Sequence, residues 1–129
     1  MLNGLNPAAA AAKETTVVTY DGGGFAGNWY KVKITATVTR IGDRYELSAL
    51  VESRCIHDEG PAPEWGLAFG SSAESWRYEE GTCSPDWKKV TLKETGPLRR
   101  DGRVYLQAGA YGGLLLGSWG WGTQRSVWV

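Results

Sequence analysis

The chain of 129 residues is poor in several features that would point to a function. Its 14 Lys and Arg residues balance 14 Asp and Glu residues, so no charge of one sign is left over. The electrostatic term that supplies most affinity for nucleic acid or anionic membranes is therefore missing, and neither partner is expected. No stretch approaches the roughly 20 successive apolar residues of a bilayer-spanning helix. The most apolar run, Ala108 to Trp121, is short and broken by glycines, so no spanning helix is expected.

One His and two Cys cannot fill a four-ligand zinc site, even if His57 joined Cys55 and Cys83. No Walker loop, dinucleotide fingerprint or EF-hand loop is present, so neither a metal nor another cofactor is expected. A hydrolytic triad needs its His between a nucleophile and an orienting acid. His57 has no G-x-S-x-G elbow to serve and reads as a solvated loop residue. Carboxylates are plentiful, but most fall in turns or on wet strand faces rather than facing each other across a cleft. No catalytic residue is assigned.

The two cysteines, Cys55 and Cys83, sit in Gly-, Pro- and acid-rich surroundings that read as loops. A disulfide between them would close a loop of roughly 30 residues and contribute about 3 to 4 kcal/mol in the chain-entropy model. It would persist only in an oxidising compartment, so a secreted protein is expected; two free buried thiols are the alternative. Residues 1–14 read as a flexible arm or the remnant of a signal peptide, because Ala8 to Ala12 fit a small-residue cleavage pattern. A single domain is expected over 15–129.

Period-two alternation recurs along the chain, with no apolar stripe of helical period. From Trp29 to Ile41 one face carries Tyr30, Val32, Ile34, Ala36 and Val38, and the other Trp29, Lys31, Lys33, Thr35, Thr37 and Thr39. Gly42-Asp43 supplies a hairpin turn into a strand with Tyr45, Leu47, Ala49 and Val51 on one side. Lys31 and Lys33 are expected to find Glu52 and Glu46 or their neighbours across the outer face of that hairpin. Arg54 to Pro63 reads as loop. Further strands are expected at Thr15 to Tyr20, Glu64 to Phe69, Ala73 to Glu79, Trp87 to Glu94, Arg103 to Ala110, Leu114 to Trp119 and Gln124 to Val129, with Arg100-Asp101-Gly102 as a second hairpin turn. The expectation is an all-β antiparallel β-sandwich of about seven to nine short strands, with a small closed β-barrel as the alternative.

Against these scarcities stand 7 Trp, 6 Tyr and 18 Gly. Seven indoles exceed what one small core needs, so some should lie near the surface. Trp29 has the parity of the wet face. Trp119 and Trp121 share one face of the segment Gly117-Ser-Trp-Gly-Trp-Gly122, where glycine permits close approach, and Tyr111 lies nearby. The pair is expected to form a flat apolar platform, suited to a protein interface or to sugar rings, or else to fill the core.

Gly27-Asn28-Trp29-Tyr30 resembles the G-x-W-[FY] signature that opens the first barrel strand of lipocalins and avidins. That resemblance implies a ligand-binding barrel, and it would carry Arg125 over to the last-strand cation that packs on the Trp. A strand at Thr15 to Tyr20, ahead of the motif, departs from the pattern. The layout of an Ala-rich N-terminal segment, a disulfide-containing β-domain and scattered Trp resembles small secreted actinobacterial adaptor proteins, such as the small β-subunit of umbrella toxin particles. It implies an N-terminal strap that docks into a partner, and it assigns no individual residue. Taken together, the expectation is a secreted, non-enzymatic domain that binds another protein through its N-terminal segment and through Trp29, Trp119, Trp121 and Tyr111. A carbohydrate-binding module and a calycin-like barrel for a small ligand are the alternatives.

Overall fold

The computed structural model describes residues 12–23, 27–56, 62–72, 75–112 and 118–129. Among them the chain is all β, with no α-helix. In order the strands are β1 (Lys13–Gly23), β2 (Trp29–Ile41), β3 (Arg44–Ile56), β4 (Glu64–Gly70), β5 (Arg77–Thr82), β6 (Lys88–Pro97), β7 (Arg103–Tyr111), β8 (Trp119–Trp121) and β9 (Arg125–Trp128). Two antiparallel sheets pack together. One is four-stranded in the order β1-β2-β3-β6; the other is five-stranded, β5-β4-β7, with β8 and β9 sharing the far edge of β7.

The alternation read from the sequence sets the core. Val32, Ile34, Ala36 and Val38 of β2 and Leu47, Ala49 and Val51 of β3 point inward to meet Leu67 and Phe69 of β4 and Val104, Leu106 and Ala108 of β7. Each large apolar side chain buried this way is worth roughly 1.5 to 3 kcal/mol relative to exposure. Burial also raises the hydroxyl pKa of the two core tyrosines, Tyr30 and Tyr45. Gly42, at φ +65°, takes the left-handed conformation of the β2–β3 turn, and the register runs unbroken from Ile41↔Arg44 to Trp29↔Ile56.

No closed barrel forms among the described residues, because both seams between the sheets are made by side chains and close packing rather than by a strand ladder. On one side β1 lies against β7, β8 and β9. On the other the Arg77 guanidinium donates to the Thr95 carbonyl at 2.7 Å and pairs with Glu94, bridging β5 to β6. The Cys55–Cys83 disulfide, with Cα atoms 5.6 Å apart, joins the end of β3 to the residue that follows β5 and so staples one sheet to the other.

Several expected boundaries move. The segment Arg54 to Pro63 is not all loop: β3 continues to Ile56, so Cys55 is a fully buried strand residue. Inward-facing Ser53 interrupts the apolar pattern there and disguises the continuation. Of the strand expected from Ala73 to Glu79, residues 73–74 lie outside the described residues, and β5 begins at Arg77, preceded by a contact in which Ser75 Oγ accepts from the Ser72 amide at 2.9 Å. Arg100-Asp101-Gly102 is a turn between sheets rather than a hairpin, since β6 and β7 belong to different sheets. Asp101 Oδ1 holds it by accepting from the Arg103 amide at 3.0 Å. β8 begins at Trp119, and residues 114–117 of the strand expected there lie outside the described residues. The charge pattern on the hairpin also differs in detail: Glu52 faces Lys33 in register, but its ion pair is with Lys89 at 4.0 Å, and Lys31 pairs with Asp21 at 3.7 Å. β1 starts at Lys13, so the last two residues of 1–14 belong to the sheet; residues 1–11 lie outside the described residues.

Candidate functional site

The outward positions of the five-stranded sheet begin with small residues. On β4 these are Gly66, Ala68 and Gly70; on β7 Gly109 lies beside Gly66 in register. Such a floor leaves room for large side chains from flanking strands, and it is filled. Trp119 and Trp121, on the same face of β8, reach back across β7. A Cβ on Gly66 would fall 2.5 Å from the Trp119 ring, and one on Gly109 would strike Trp121 and the Gly120 carbonyl. Glycine at these two positions therefore fixes where the indoles lie.

The rings form a ladder. Tyr111 and Trp119 have centroids 5.4 Å apart and tilted, Trp119 and Trp121 are stacked at 5.3 Å, and Tyr78 of β5 closes the row 5.9 Å from Trp121. Trp119, Trp121 and Tyr111 are half-buried; Tyr78 is 62% exposed. The two indoles do not make the flat platform expected of them, because each gives one face to the other. Beside them runs a groove of 390 Å³ lined by Tyr78, Glu79, Glu80, Trp119 and Trp121. Glu79 has the opposite parity to Tyr78 and Glu80. Its carboxyl meets that of Glu94 across the β5–β6 seam, and the hydrogen bond between them raises its pKa, helped by burial and opposed by Arg77.

The structure thus brings Trp119, Trp121 and Tyr111 together and leaves Trp29 apart. Trp29 lies on the outer face of the other sheet, half-buried beneath two cations, with Lys31 Nζ 5.7 Å and the Arg54 guanidinium 5.9 Å from its ring centroid. Arg125 sits in β9, which pairs with β7. Of the seven tryptophans, only Trp65 belongs to the buried core.

The sequence reading missed the rest of this outer face. Tyr78 was absent from it, as was a second cluster at the other end of the sheet: Trp76 and Tyr105 with centroids 6.3 Å apart, and Arg103 between Tyr105 at 4.7 Å and Trp128 at 4.8 Å. The available signal was the run Gly66-x-Ala68-x-Gly70, since three small residues on one strand face mark a surface covered by its neighbours. Among the described residues no three His, Cys, Asp or Glu side chains converge as a metal site, and no helix is long and apolar enough to cross a membrane. His57 lies outside the described residues. Comparison with known protein families, curated proteins and solved structures finds no match to this chain.

Proposed function

We propose that this chain is a non-enzymatic binding domain that works outside the cell and contacts another protein through the outer face of its five-stranded sheet. One observation carries the reading. The ladder Tyr111, Trp119, Trp121 and Tyr78 lies partly exposed on a glycine floor beside an open groove. Trp, Tyr and Arg are the residue types that dominate interface energetics, and this face holds all three, with Arg103 at its far end. Stacking of sugar rings needs free indole faces, and Trp119 and Trp121 spend one face each on the other, so a protein partner fits better than a glycan. The buried disulfide is compatible with an extracellular location. In this reading the N-terminal segment is a second contact, so a deletion that probes it should stop before Lys13, where β1 begins.

The test compares the wild type with Trp119→Ala/Trp121→Ala in capturing proteins from the producing organism's culture medium, with thermal melting run on both. Loss of interface anchors should weaken retention by about 30-fold or more while the double variant still melts cooperatively. A folded double variant that retains the partner as well as the wild type does would end the proposal, and so would an unfolded one, because the indoles would then be structural.

A further inference from the structure

Three other rings near the surface, though not that of exposed Trp87, are already occupied by the chain's own cations. Lys31 and Arg54 lie over Trp29, and Arg103 lies over both Tyr105 and Trp128. The ladder from Tyr111 to Tyr78 is different: among the described residues no Lys or Arg lies over any of its four rings.

The charge around the ladder is complementary to a cation. By register, the outward positions of β5, β4, β7 and β8 from the Thr82 end as far as Gln107 include Glu80 and Glu64 and no Lys or Arg. Glu80 lines the groove, and Glu64 stands between Thr82 and Tyr111 on the same face. Neither carboxylate takes part in an ion pair among the described residues. Glu79 does not count toward this charge, since its carboxyl is turned to Glu94. Tyr78 is the most exposed ring of the groove, and Glu80 at its edge has no ion pair among the described residues, so a cation is attracted through the Tyr78 ring and the carboxylate together.

We propose that the groove between Tyr78 and the Trp119–Trp121 pair takes an alkylammonium group, presented by the partner protein as a Lys side chain. The inference rests on the reading of this face as the contact surface and adds what the partner must bring to it.

The probe is choline, titrated against tryptophan emission, with 3,3-dimethylbutanol as its uncharged isostere and cellohexaose as a neutral sugar. Choline should perturb the emission at concentrations about tenfold or more below those the isostere needs. Glu80→Gln, at an exposed position, should weaken choline binding roughly three- to tenfold and leave the melting temperature alone; added salt should shrink that difference. Equal binding of the isostere, an unchanged affinity in Glu80→Gln, or a response to cellohexaose alone would each overturn the proposal. The partner separates this from the reading beneath it. Partner lost from the Trp double variant but not displaced by choline would sink the ammonium proposal alone, whereas partner kept by a folded double variant would sink the contact surface itself.

Discussion

On the outer face of the four-stranded sheet, Thr35, Thr37 and Thr39 of β2 stand beside Leu50, Ser48 and Glu46 of β3, with Lys and Thr of β6 beyond. On the outer face of the five-stranded sheet, Gly66 and Ala68 of β4 stand beside Gly109 and Gln107 of β7, and the two glycines are roofed by the Trp119 and Trp121 rings from β8. Both faces follow the same period-two alternation. In the first, each strand's own branched side chains cover the backbone, and the surface is closed by local residues. In the second, the strand supplies only a floor and its neighbours supply the cover, so β4 is buried on both sides from Trp65 to Gly70. A surface built this way couples an exposed aromatic patch to the packing of the sheet.

The sharpest way to break the comparison is to put a side chain on the glycine floor. Gly109→Ala would push a methyl against both Trp121 and the Gly120 carbonyl. A backbone carbonyl cannot swing aside, so a loss of about 2 to 3 kcal/mol is expected, visible as a lower urea midpoint together with disturbed Trp emission. Gly66→Ala meets only the far ends of the Trp119 and Trp121 rings, which can tilt. Its cost should be smaller, about 1 kcal/mol, with the emission change retained. Equal costs at both positions would mean that β8 moves as a body and that the floor does not fix the rings one by one.

This difference also explains what could be read from the chain alone. Residues 29 to 52 were legible because each strand's inward set is apolar throughout and its outward set mostly polar, Trp29, Ile41 and Leu50 apart, and Gly42 marks the turn between them. The end of β3 was not legible because inward Ser53 and Cys55 look like loop residues; Ser53 Oγ is buried with no hydrogen-bond partner among the described residues, an unfavourable choice that pattern reading does not anticipate. At the site, parity put Trp119, Trp121 and Tyr111 on one surface. It could not bring in Tyr78, because which strand flanks β4 is a matter of topology, and β5 pairs with β4 by a register that no local signal announces. Trp29 was misgrouped for the same reason: outward parity does not say which of two sheets a residue faces out from.

Where the two sheets meet, Glu79 of one faces Glu94 of the other. Its pKa is raised chiefly because its protonated carboxyl hydrogen-bonds Glu94. A carboxyl whose folded-state pKa is raised adds its stability fully below the ordinary carboxylate range and loses it as the pH climbs through the raised value. Stability of the wild type should therefore decline over that window relative to Glu79→Gln, which keeps a donor toward Glu94 at every pH. Half-exposure and the neighbouring Arg77 keep the effect small. Melting curves from pH 4 to pH 7 that run parallel for the two proteins would show that the seam carries no such proton.

The smallest effect belongs on the threonine face. Thr15 Oγ1 and Thr37 Oγ1 are 3.0 Å apart across β1 and β2, an exposed hydrogen bond between hydroxyls that water can replace. Thr37→Val keeps the branched shape that covers the backbone and removes only that bond, so stability should change by no more than about 0.5 kcal/mol. Partner and choline binding should not change at all, because this face looks away from the aromatic groove. If Thr37→Val instead cost as much as Gly66→Ala, or weakened binding, the two outer faces would not be independent surfaces. The division between a self-covered face and a neighbour-covered one would then be a matter of composition, with no consequence for how the molecule is held together.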